Sequence, residues 1–178
     1  MTINCRSCNN RIFKHEIKLI KYPVSLWPCK KEQSKKGLDL MVYFCKKCSL
    51  TQLQRFNNQT IYSFYKNKSK VLDNEYLIKN RVSKIKKIIK RDNNLKFLEI
   101  GGGRNNILKY FKNSKRWICD FDIEKIEKNI NIIKSDFNNF TSKKKYFDYI
   151  FFFHTLEHIE NPRNFLINVF DKLKDNGK

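Results

Sequence analysis

The sequence predicts an α/β chain in two parts, a small four-cysteine module followed by a parallel, nucleotide-binding type of sheet, with a helical connector between them. Three observations carry that prediction. Cys5-Arg6-Ser7-Cys8 and Cys45-Lys46-Lys47-Cys48 form two C-x-x-C pairs. The apolar run Leu95–Ile100 breaks into Gly101-Gly102-Gly103, and a new apolar pattern, Ile107, Leu108, Phe111, then begins. That order reads as a strand, a tight turn and a helix, the opening of a βαβ unit. Further short apolar runs follow at intervals suited to more strands of the same sheet.

The chain has 178 residues, 40% of them apolar, enough for one ordinary domain and a smaller one. It carries 38 Lys+Arg against 17 Asp+Glu, a formal charge of +21. Such a balance points to nucleic acid or another anionic surface. Against that, 30 of the basic residues are Lys and only 8 are Arg, and Asn, Ile and Phe are also abundant. These residues have AT-rich codons, and base-reading sites lean on Arg. The charge is uneven: residues 1–92 hold 22 basic and 6 acidic side chains, residues 93–178 hold 16 and 11. Nucleic acid is therefore kept as a secondary partner. No apolar run is long enough to span a bilayer, and Met1-Thr2-Ile3-Asn4-Cys5 shows no signal-peptide pattern. The expected setting is the cytoplasm, with no membrane partner.

Residues 1–55 form the first expected part. Each C-x-x-C pair places two thiolates on one side of a turn, and two pairs supply a tetrahedral S₄ set for Zn²⁺. Residues 9–44 lie between the pairs, more than a simple ribbon needs, so an inserted loop or strand is expected. Disulfides are disfavoured in a cytoplasmic chain, and a redox pair is disfavoured by the duplication. Cys5, Cys8, Cys45 and Cys48 are thus the metal ligands, in a structural role. Cys29 and Cys119 read as incidental or buried thiols.

Residues 56–92 form the connector. Ile78, Val82, Ile85 and Ile89 recur at helical spacing along one face between Glu75 and Arg91, and lysines fill the rest. Asp92-Asn93-Asn94 marks the boundary with residues 93–178.

In that last part Glu99 stands directly before the glycine turn, where a carboxylate repels a pyrophosphate. A cofactor without phosphates and with a cationic end, such as S-adenosylmethionine, fits better. Trp117-Ile118-Cys119 reads as the second strand, ending at Asp120, 17 residues after Gly103. An acid at about that interval meets ribose hydroxyls in βαβ sites. Asp122 fits an N-cap for a helix begun by Ile123-Glu124. Ile132-Ile133-Lys134 is a third strand, and Asp136 after it is placed to accept from an adenine amino group beside Phe137. Phe147–Phe153 is a fourth strand, and Asn161-Pro162 caps a helix through Leu173. Between these lies His154-Thr155-Leu156-Glu157-His158, the H-x-x-E-H pattern of inverted zinc proteases. That motif requires a continuous helix, whereas this segment leaves a strand and meets Asn161-Pro162. His154 and Glu157 are instead expected along the cofactor crevice.

Taken together, residues 95–178 resemble the class I S-adenosylmethionine-dependent methyltransferases. Glu99-x-Gly101-x-Gly103 matches their first motif, Asp120 the ribose-binding acid and Asp136 the adenine-side acid. Phe147-Asp148-Tyr149-Ile150 through His154–Ile159 matches their segment after the fourth strand. Where the family often has a third glycine, this chain has Asn105, a residue that tolerates left-handed backbone. The first half resembles the zinc-binding N-terminal domain of a subset of these enzymes that includes sugar C-methyltransferases. It does so on Cys5-x-x-Cys8, Tyr22-Pro23-Val24-Ser25, and Phe44-Cys45-x-x-Cys48-x-Leu50-x-Gln52-Leu53.

The resemblance implies a Rossmann-like domain with strand order 3-2-1-4-5-7-6, of which this chain supplies 3-2-1-4. It implies S-adenosylmethionine held by Glu99, Gly101, Gly103, Asp120, Asp136 and His154, structural zinc, and a small acceptor such as a nucleotide-linked sugar. It also implies three more strands beyond Leu173–Lys178, and with them the catalytic residues. The chain therefore reads as C-terminally truncated and inactive by itself, with no catalytic residue assigned and Tyr149–Phe153 left as an uncovered apolar edge. The rival expectations are a zinc-ribbon RNA methyltransferase, a non-catalytic zinc module on a degenerate nucleotide fold, and a dinucleotide-dependent reductase.

Overall fold

Two sequence regions build separate units, Met1–Val71 and Leu72–Lys178, in a computed structural model. The described residues are 3–11, 13–23, 37–54, 75–89, 93–103, 106–121, 123, 126–135, 137 and 143–178.

The first unit is a three-stranded antiparallel sheet in the order β1-β2-β3: β1 Phe13–Pro23, β2 Gly37–Cys45 and β3 Thr51–Leu53. The long interval between the cysteine pairs is thus spent on a β1–β2 hairpin. The first pair precedes β1 and the second begins at the last residue of β2. Apolar burial here is thin: among the described residues only Cys5, Leu40, Tyr43 and Cys45 are buried hydrophobics, and Ile17, Ile20 and Leu53 are exposed.

The second unit opens with helix α1, Glu75–Ile88. Glu75 stands in its first turn and Lys86 and Lys87 in its last, each at the end the helix dipole favours. Ile78 and Val82 are buried on the expected face, and Ile89 just beyond the helix joins them. Four parallel strands follow: β4 Lys96–Ile100, β5 Lys115–Cys119, β6 Ile130–Ile133 and β7 Tyr149–Phe151. Their order is β6-β5-β4-β7, the predicted 3-2-1-4. Helix α2, Pro162–Lys172, is capped as its sequence foretells: the Asn164 N–H donates to Asn161 Oδ1 at 3.2 Å.

Strand alternation divides the core in two. Phe97, Ile118 and Ile130 pack with Ile78, Val82, Ile107, Leu108 and Phe111. Leu98, Ile100, Cys119 and Ile150 pack with Phe137, Phe147, Phe165 and Val169. Phe97 anchors the first cluster, with edge-to-face contacts to Phe111 (5.1 Å) and Tyr149 (5.4 Å).

One helix expectation fails, and a second finds no helical residue among those described. Among the described residues after the glycine turn there is no α-helix but one 3₁₀ turn, Leu108–Tyr110. The link 101–114 must return to the start of β5, and Lys112-Asn113-Ser114 ends it: Ser114 Oγ donates to the Phe111 carbonyl at 2.6 Å. Ile107, Leu108 and Phe111 are all buried, so the apolar spacing recorded burial rather than a long helix. Ile123, the described residue at the start of the second expected helix, is not helical; Asp122 and Glu124 lie outside the described residues. The edge of β7 also differs from expectation. Ile150 N–H donates to the Lys178 carbonyl at 2.9 Å, and Lys178 N–H donates to the Asp148 carbonyl at 3.0 Å.

Candidate functional site

The glycine turn lies at the carboxyl end of β4, where parallel α/β sheets bind ligands. Gly101 has φ +71° and Gly103 φ +47°, backbone that other residues adopt at a cost. Gly103 N–H donates to Asp120 Oδ2 at 2.9 Å, so the acid at the end of β5 closes the turn. A side chain at Gly101 would meet Thr155 Oγ1 at 2.5 Å, and one at Gly102 would meet the Glu99 carboxyl carbon at 2.7 Å. Thr155 Oγ1 donates to the Ile100 carbonyl at 3.0 Å, binding the segment after β7 to the turn. Gly101→Ala is therefore expected to lower stability by about 1–3 kcal/mol through backbone strain and the displaced Thr155 hydroxyl. Urea titration of the variant measures it; an unchanged midpoint would show that the turn tolerates a Cβ.

Glu99 is placed differently from the open carboxylate the sequence suggested. It is 1% exposed and registers between Ile118 of β5 and Phe151 of β7. Its Oε2 accepts from Ile107 N–H at 2.8 Å, holding the far end of the turn from below. Burial pushes it up to about 8, only partly offset by the backbone N–H groups of Ile107 and Leu108 and the charge of Arg81. Burial thus disfavours the phosphate-repelling charge that the sequence suggested.

Asp120 is half-buried and Phe121 beside it is 61% exposed at the same strand end. Sequence reading passed over Phe121, although an aromatic residue next to the acid of a βαβ unit was the available signal. It also passed over Thr155. Asp136 and Asn105 lie outside the described residues. His154 has φ +52°, and its exposed ring nitrogen Nδ1 lies 3.2 Å from Glu157 Oε1. Leu156–His158 is a single 3₁₀ turn after β7, so H-x-x-E-H is not displayed on the continuous helix a zinc protease needs.

The four paired cysteines converge. Cys5, Cys8, Cys45 and Cys48 place all four Sγ atoms within 4.8 Å of one another, with 3.5 Å between Cys5 and Cys48 and 3.6 Å between Cys8 and Cys45. A tetrahedral Zn²⁺ with bonds of about 2.3 Å requires S···S separations of about 3.8 Å. The two turns are near copies. Asn9 N–H donates to the Cys5 carbonyl and Cys5 N–H to Asn10, as Ser49 does to Cys45 and Cys45 to Leu50. Asn9 (φ 59°) and Ser49 (φ 60°) both take left-handed backbone. Gln52, buried on β3, ties the first turn down by accepting from Arg6 N–H at 2.9 Å and donating to the Asn4 carbonyl at 3.2 Å. Burial raises Cys45, but backbone N–H groups of Cys48 and Lys47 and the neighbouring Cys8 and Cys5 thiols outweigh it and bring the thiol down to about 6. At Cys8 the backbone N–H of Asn10 is outweighed by burial and the neighbouring thiols, which push it up to about 11.

The sheet order, the glycine turn after its first strand and the acid after its second define the Rossmann-like fold of class I methyltransferases. Residues 72–178 match the family described as "Methyltransferase domain", and the chain belongs to that family. A proposed S-adenosyl-L-methionine-dependent methyltransferase of Methanococcus maripaludis is similar at 16% identity and TM-score 0.53, over 70% of this chain and 63% of that one. The plantazolicin methyltransferase BpumL, solved with a triazolic desmethylPZN analog and SAH, is similar at 23% identity and TM-score 0.49, over 66% and 49%. The YcgJ protein of Bacillus subtilis is similar at 17% identity and TM-score 0.48, over 54% and 47%. The chain thus spans about half to two thirds of the length of these structures. Comparison with curated protein sequences finds no match. No helix among the described residues is long and apolar enough to cross a membrane.

Proposed function

We propose that the protein binds S-adenosylmethionine at the carboxyl ends of β4 and β5 and serves methyl transfer to a small-molecule acceptor. The observation that carries this reading is the closure of the glycine turn by Asp120 on Gly103 N–H. Gly101 and Gly103 let the backbone approach the cofactor, and Asp120 orients its ribose. Glu99 acts from beneath, through Ile107, by holding the shape of the turn. Asp136 takes the adenine edge, Phe121 offers an apolar surface beside it, and His154 borders the crevice. The bound cofactor supplies an electrophilic sulfonium methyl; the chain's contribution is orientation. A nucleotide-linked sugar is the proposed acceptor, supported by the resemblance of the first half to the zinc domain of sugar C-methyltransferases.

In the first unit the four thiolates hold structural Zn²⁺, and a reducing compartment such as the cytoplasm suits them. We take residues 1–55, 56–92 and 93–178 as zinc module, connector and cofactor domain.

Calorimetry of the zinc-loaded 178-residue chain with S-adenosylmethionine tests the cofactor reading. Micromolar binding is expected, and Asp120→Asn is expected to weaken it about tenfold to a hundredfold by removing a charge-assisted acceptor. Absence of heat with both S-adenosylmethionine and S-adenosylhomocysteine would overturn the reading.

A further inference from the structure

A second cleft lies at the opposite end of the sheet from the glycine turn. Its volume is about 600 Å³, and its lining includes Lys86 near the end of α1 and Lys109, Tyr110, Phe111, Lys112 and Asn113 from the link into β5. The Asn113 carbonyl accepts from Asn94 N–H, and Lys115 N–H donates to the Leu95 carbonyl. Those bonds place the cleft beside the amino-terminal ends of β4 and β5, whereas Gly101–Gly103 follow the carboxyl end of β4.

We propose that this cleft binds the phosphates of a nucleotide, at a site separate from the cofactor crevice. Lys86, Lys109 and Lys112 line it, and none of them has a carboxylate partner among the described residues. Lys86 Nζ stands 5.9 Å from the Phe111 ring centroid and Lys109 Nζ 5.3 Å from that of Tyr110. Three ammonium groups supply point charges for phosphate oxygens. Tyr110 supplies an aromatic wall for a base, and the Asn113 amide both donates and accepts. The volume suits a ligand of nucleotide size. An acidic peptide makes no use of the aromatic wall.

The proposal goes beyond the cofactor reading and does not depend on it. Its test uses the zinc-loaded 178-residue chain with two probes, a fluorescein-labelled ten-nucleotide oligouridylate followed by anisotropy, and unlabelled uridine diphosphate as competitor. Lys109→Glu with Lys112→Glu is compared with Lys84→Glu with Lys128→Glu, which changes the net charge equally away from the cleft. The cleft pair is expected to weaken binding at least tenfold and to flatten the salt slope by about 1.4, two phosphate contacts on a single strand. The other pair is expected to stay within threefold. Displacement of the oligomer by uridine diphosphate identifies a free nucleotide as ligand; an oligomer that binds without being displaced identifies a nucleic-acid strand, and either supports the cleft. Equal losses in both double variants would overturn the proposal in favour of diffuse attraction, as would binding of neither probe. If the Glu variants lower the melting temperature, Lys→Gln at the same two positions gives the same comparison.

Discussion

Stripping metal from the four-cysteine site is expected to unfold the first unit and leave the second folded. Among its described residues the first unit has only Cys5, Leu40, Tyr43 and Cys45 as buried hydrophobics, two of them proposed ligands. A sheet with so little apolar burial does not offset the entropy of ordering its backbone. Structural zinc in small modules contributes about 10–16 kcal/mol of apparent binding energy, which becomes folding energy when the apo site is unstructured. The second unit has two apolar clusters of its own and no thiolate among its proposed ligands. Adding a strong chelator while recording amide NMR spectra separates the two responses. Signals from residues 37–54 should collapse toward random-coil positions, and those from β4 and β5 should stay. Persistence of the first unit's dispersed signals after metal analysis confirms complete removal would defeat the zinc assignment. Cys45→Ser should mimic chelation.

Stability of the second unit is expected to fall as pH rises from about 4.5 to 8, because of Glu99. Its folded-state value, raised by burial to about 8, lies above its ordinary 4.5, so the native state holds a proton that the unfolded state releases in that window. Below it both states are protonated and the contribution is fully present; above it both are ionised and the contribution is lost. A span from 4.5 to about 8 corresponds to at most about 5 kcal/mol. Urea unfolding followed by Trp117 fluorescence, in a Trp27→Phe background that silences the first unit's tryptophan, reads the slope at several pH values. Glu99→Gln should flatten it. A Glu99→Gln profile as steep as that of the unaltered chain would remove Glu99 as the source.

Much of the architecture was legible before any coordinates. Each parallel strand announced itself as a short apolar run, and the order β6-β5-β4-β7 agrees with the predicted 3-2-1-4. Asn161-Pro162 marked the start of α2 because capping depends on residues within one turn. The cysteine spacing anticipated a shared cluster for the same reason: a C-x-x-C turn is local, and only the meeting of two turns is not. Where the reading failed, long-range neighbours decided. Ile107, Leu108 and Phe111 look helical in a window, yet they are buried through a single 3₁₀ turn because the chain must reach β5 within a short link.

The sequence by itself thus determined the class of fold, the glycine turn, the acid at the end of β5 and the clustering of the four paired cysteines, all set by spacing along the chain. Only the tertiary structure decided what those groups are physically. Ile118 and Phe151, brought from β5 and β7, flank Glu99 and remove the water that would keep it charged. Lys86 on α1 meets Lys109 and Lys112 across a cleft that no local pattern records. Ionisation and charge convergence depend on which distant segments exclude or admit water, and that is fixed by packing rather than by order along the chain.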